Sequence, residues 1–118
     1  MTTQEERAAS LVRGFEFGAK LAHALSDELS DTTGYTQVVR LTDAIAKALD
    51  TIGSGRVALA GLLDHSDVGV RASAGEQLID LMPERVVPIL REIEERRDGS
   101  SALFMAHWAL LAWKLEGS

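Results

Sequence analysis

Asp64-His65-Ser66-Asp67 gathers two carboxylates, an imidazole and a hydroxyl, the parts of a nucleophilic triad, into one short run. Adjacent side chains of a tight turn point apart, whereas a nucleophile, its base and the orienting acid must converge from separate elements. The run therefore reads as a capped turn between two helices. As metal ligands, Asp64, His65 and Asp67 make an incomplete set, with one imidazole and two flexible acids. His23, His65 and His107 fall on different elements, and neither a His-x-x-x-His nor a Glu-x-x-His spacing occurs. His107 lies between apolar neighbours, which suits an interface histidine better than a general base. Gly53-Ser54-Gly55 has neither the strand before it nor the lysine after it that a phosphate cradle requires. No catalytic residue, cofactor or metal is expected, and the chain reads as non-enzymatic.

The elements that carry these residues belong to a chain of 118 residues, long enough for one domain and too short for two. It has no cysteine, which removes disulfides, thiol nucleophiles and thiolate-ligated zinc. Eighteen acids against twelve bases give a net charge of −6, the wrong sign for binding nucleic acid through counterion release. No run approaches the roughly eighteen apolar residues of a membrane-spanning helix. The opening Met-Thr-Thr-Gln-Glu-Glu-Arg lacks a signal peptide's apolar core. We expect a cytoplasmic, single domain over residues 1–116, with Gly117-Ser118 set aside as a cloning remnant.

Aliphatic residues recur at spacings of three and four throughout, so every segment reads as helix. The first helix starts in a Thr3-x-x-Glu6 capping box and turns Ala8, Leu11, Val12, Phe15, Ala19, Ala22, Leu25 and Leu29 inward. Gly14, Gly18 and Ala22 form a flat strip that a neighbouring helix can approach closely. The second runs from about Thr33 to Thr51 and stops at Gly53-Ser54-Gly55. A short third helix, Arg56 to Asp64, is capped by Ser54. The fourth, Val68 to about Met82, is capped by Asp67 and buries Val70, Ala74, Leu78 and Leu81. Pro83 opens the fifth as its first residue, whereas Pro88 predicts a kink or a loosened first turn before the helix ends near Arg97. Ser100 or Ser101 caps the last helix, 101–115.

Leu62-Leu63-Asp64-His65-Ser66-Asp67-Val68-Gly69-Val70-Arg71-Ala72-Ser73-Ala74 resembles the HEAT-repeat pattern, and Val87-Pro88-Ile89-Leu90 resembles the first helix of a second such unit. More narrowly, the chain is similar to small bacterial HEAT-like domains of unknown function, through Leu62 to Arg71, Pro83 to Arg85, and a tryptophan, Trp108 or Trp113, in the terminal helix. The resemblance implies an all-α fold of about six helices in antiparallel pairs, a fragment of an α-solenoid. It implies structural roles for Asp67, Val70, Arg71 and Ala74, with Asp67 and Arg71 as a pair four apart on one face. It brings no catalytic residues.

The last helix is the anomaly. From Leu103 to Leu115 only His107 and Lys114 are polar, and both project within about 20° of each other. Phe104, Trp108, Leu111 and Leu115 form its bulkiest seam and are assigned to the core. Its remaining apolar surface is either covered by the first helix folding back over it or left as an interface. The expected function is protein–protein interaction, with the helices at 68–82 and 101–115 lining one surface. Arg71, Glu76 and Asp80 would supply polar specificity, and Met105 and Trp113 apolar anchors. An immunity or antitoxin-type inhibitor of a basic toxin is one form of this reading. A homodimer through 101–115 and a small-ligand binder or enzyme using His107 are the alternatives. Neither nucleic acid nor membrane is an expected partner.

Overall fold

The computed structural model describes residues 3–117. Its elements are α1 (Gln4–Asp27), α2 (Thr32–Leu49), a 3-10 helix (Gly55–Asp64), α3 (Val68–Leu78), α4 (Pro83–Glu95) and α5 (Ser101–Gly117), with no strand among the described residues. The expected all-α class is observed. Ser118 of the presumed cloning remnant lies outside the described residues.

Capping chemistry sets most of the boundaries. Thr3 Oγ1 accepts the Glu6 amide at 3.1 Å, Asp31 Oδ1 that of Gly34 at 2.9 Å, and Asp67 Oδ1 that of Val70 at 3.0 Å. Each satisfies an amide that the first helical turn leaves without an acceptor. Gly53 and Gly55, at φ +21° and +64°, carry the chain out of α2 through backbone angles that a side chain would strain. Pro83 opens α4 as expected, and α4 then runs unbroken through Pro88, whose ring is exposed.

Three pieces differ from the expectation. Leu29, expected on the inward face of the first helix, lies beyond the end of α1 and is exposed. Residues 55–64 form a 3-10 rather than an α-helix, and the Ser54 side chain makes no capping bond. Leu81 is exposed, because α3 stops at Leu78 and the amide of Leu81 turns back to the Leu78 carbonyl.

Packing begins with α1 on α2. A methyl group added at Gly18 would lie 2.7 Å from Thr42 Cγ2, so the two backbones approach more closely than any larger residue allows. The central helix is α3, which packs against the 3-10 helix, α4, α5 and α1. Its Val70 and Leu78 join Phe15, Leu63, Leu90 and Ile93 in a continuous core, all essentially without water contact. Burying side chains of this size is worth about 1.5–3 kcal/mol each. A polar chain adds direction: Arg56 pairs with Asp50 and donates to Gln77 Oε1, and Gln77 Nε2 donates to Asp43, linking α2, the 3-10 helix and α3.

Candidate functional site

In α5 the assignment of faces is reversed. Phe104, Trp108, Leu111 and Leu115, expected in the core, are 53%, 62%, 36% and 75% exposed. The buried face is instead Ala102, Met105, Ala106 and Ala109. The reason lies in what α5 packs on. It meets α3 where Ser73 reaches Met105 and where Glu76, Ile79 and Asp80 lie beside Ala109 and Ala112, and the alanines of α5 let the two helices approach. His107 and Lys114 mark the side roughly opposite Met105 and Ala109, but they are only two polar residues, and the bulk of the seam was a misleading guide. Nor does α1 fold back along α5; it reaches only the amino end, at Ser101 and Ala102.

The exposed row lies at i, i+4, i+7 and i+11, the spacing of a seam that another helix can enter. On its α3 side Glu76, Ile79, Asp80, Trp108, Trp113 and Glu116 enclose a groove of about 220 Å³. On its α4 side Arg91, Glu94, His107, Leu111, Trp113 and Lys114 border a hollow of about 250 Å³. There His107 Nδ1 donates to Glu94 Oε2 at 2.6 Å, with the imidazole edge-on to Trp108. This exposed pair replaces the expected apolar surroundings of His107.

The residues singled out for partner binding separate. Glu76 and Asp80 are exposed and share the groove. Trp113 is half-buried and borders both hollows. Met105, expected as an outward anchor, is buried, with Ser73 Oγ donating to its sulfur at 3.5 Å. Arg71 is occupied elsewhere: its Nη1 donates to the carbonyls of His65 and Ser66 at 2.7 and 3.1 Å. The expected Asp67–Arg71 pair is thus replaced by two bonds to the turn, while Asp67 caps α3. Loss of hydration on burial, followed by the like charge of Asp43, raises the Glu76 pKa to about 7; water at the exposed part of the side chain tempers this.

The triad-like run disperses as its spacing requires. Asp64 pairs with Arg85 at 2.9 Å. His65 Nδ1 accepts the Asp67 amide, so Nε2 carries the proton and donates to Glu16 Oε2 at 2.6 Å. That bond is the main cause holding the Glu16 carboxyl below its usual range. No cluster able to hold a metal occurs among the described residues.

One buried polar cluster was not foreseen. His23 on α1 meets Ser101 Oγ through Nδ1 at 2.7 Å and Ser73 Oγ through Nε2 at 3.0 Å. Every atom of the cluster is satisfied when Ser73 donates to Met105 sulfur, Nε2–H donates to Ser73 and Ser101 donates to Nδ1. Nε2 faces a hydroxyl where a catalytic dyad would place a carboxylate, so no carboxylate bonds the ring directly. The arrangement fastens three helices together. Burial lowers the His23 pKa, opposed by Asp27 and Asp67.

No match to the chain is found among protein-family models, curated proteins or solved structures. No helix of the described residues is long and apolar enough to cross a membrane. Any reading of function therefore rests on the surfaces described above.

Proposed function

We propose that the chain is a non-enzymatic protein-interaction module that binds through the outer face of α5. The observation that carries this reading is the row Phe104, Trp108, Leu111 and Leu115, bulky and apolar yet in water. Contiguous exposed apolar surface marks interaction sites, and tryptophan is enriched among the residues that dominate binding energy. We read the 3-10 helix with α3, and α4 with α5, as two antiparallel pairs of a HEAT-like α-solenoid. The cap at Asp67 and the clasp of Arg71 on the preceding turn support that reading. A cytoplasmic immunity or antitoxin-type role is consistent with the net charge of −6, which favours basic partners.

Site-specific photo-crosslinking in the source cells tests the surface. A photoreactive residue at Leu111 should give a discrete adduct, lost when Phe104→Ser is added and absent with the same probe at exposed Gln37. No adduct at Leu111 removes the interaction reading. An adduct of twice the chain's own mass would identify the alternative, a self-associating subunit, which the seam spacing of the row also accommodates.

A further inference from the structure

The two edges of the exposed row differ in charge, and that difference speaks to what covers it. Along the α3 edge stand Glu76, Asp80 and Glu116, in a groove walled by Trp108 and Trp113. Neither Glu76 nor Asp80 has a hydrogen bond or ion pair among the described residues. Along the α4 edge the one acidic side chain bordering the hollow among the described residues, Glu94, is engaged by His107, and Arg91 and Lys114 stand beside it.

Resting on the interaction reading above, we propose that the α5 face receives a basic amphipathic helix of a partner protein. Its apolar residues would lie along Phe104, Trp108, Leu111 and Leu115, and its lysine or arginine side chains would enter the groove of Glu76, Asp80 and Glu116. The row is about 17 Å long, three helical turns, and its spacing matches a helix rather than an extended strand. Indole rings beside unpaired carboxylates suit an ammonium or guanidinium group, since the aromatic faces attract the cation and the acids bond its hydrogens. A second copy fits less well. In a two-fold antiparallel pairing of α5 with itself, like edges meet, so the carboxylates of one copy would face those of the other. The same acidic edge disfavours an anionic lipid surface.

The test uses the full chain and two synthetic helical peptides of about fourteen residues, without tryptophan, sharing one leucine face. One carries lysine on its polar face and the other glutamate. Titration is followed by the emission of Trp108 and Trp113, and circular dichroism confirms that every variant is folded. The lysine peptide should bind, more weakly at high salt, while the glutamate peptide should not. Glu76→Gln with Asp80→Asn and Glu116→Gln should weaken binding about tenfold. Glu84→Gln with Glu92→Gln and Glu95→Gln, which removes the same number of carboxyl groups from exposed positions of α4, should leave it nearly unchanged. Equal affinity for the two peptides, or equal loss in the two triple variants, overturns the cationic occupant. So does the absence of any binding. In each of these cases an adduct at Leu111 in cells keeps the interaction reading, and its absence removes that reading as well.

Discussion

His23 joins three helices through one ring, and its neutral form is the one the fold accommodates. Both nitrogens are satisfied by hydroxyls, and burial lowers its pKa below the ordinary 6.5. Below that value the unfolded chain takes up a proton that the folded chain refuses. Stability should therefore fall as pH drops through about 6.5, and level off only where the folded protein is protonated too. Glu76 acts in the opposite direction. Its pKa rises from 4.5 to about 7, so its contribution is full below 4.5 and lost as pH rises through about 7. In a Glu76→Gln background the urea midpoint should be lower at pH about 5 than at about 7.5. Adding His23→Gln should flatten that difference, and an unchanged slope would show that His23 is not its source. At this scale sequence reading recovers the caps at Thr3 and Asp67, fails at the Ser54 cap and the Asp67–Arg71 pair, and misses the distant bonds. The Asp67 cap follows from its place before a helix, but Ser73 and Ser101 come to His23 from 50 and 78 residues away.

Close helix approach explains both what the spacing reveals of the elements and what it hides. Gly14 and Gly18 announce a flat strip, and Thr42 of α2 occupies the space above Gly18. Gly18→Ala should destabilise the protein by about 1–3 kcal/mol, since the contact is with a packed, branched side chain. Gly61→Ala, where an added methyl meets nothing within 4 Å, should stabilise by about 0.4–1 kcal/mol by narrowing the unfolded ensemble. Thermal melts of the two variants, shifted in opposite directions, would check this account. The same logic read along Ala102, Ala106 and Ala109 would have placed the small face of α5 inward. Those residues carry the signal, but the larger ones beside them dominate a judgement made on hydrophobicity alone. The 3-10 geometry of residues 55–64 has no comparable mark in its sequence, where leucines and alanines suit either helix.

Across the whole molecule, the core is built without the bulky seam of α5, Phe104, Trp108, Leu111 and Leu115. Trp108→Lys with Leu115→Lys should therefore change unfolding free energy by less than about 0.5 kcal/mol while abolishing the crosslink at Leu111. Met105→Lys should unfold the protein, because it would place an ammonium on the buried face of α5 beside Ser73. Chemical denaturation of the two variants separates a residue kept for an external surface from one kept for the interior. The charge balance and the dispersal of the triad-like run were legible from composition and spacing, whereas the direction of the sticky face was obscured by the bulk of the residues that form it.

The attachment of α5 to α1 also bears on how the protein is made. The Ser101 amide bonds Asp27, and the Ser101 hydroxyl bonds His23, so the seat for the start of α5 includes residues near the other end of the described chain. Synthesis proceeds from the amino end, and α1, α3 and α4 have left the ribosome before α5 emerges. The helix bearing the exposed tryptophan is thus the last of these elements to be released, after the residues it docks on. Its small-residue face can dock at once, and the interval in which all of its apolar sides are bare to other nascent chains is short.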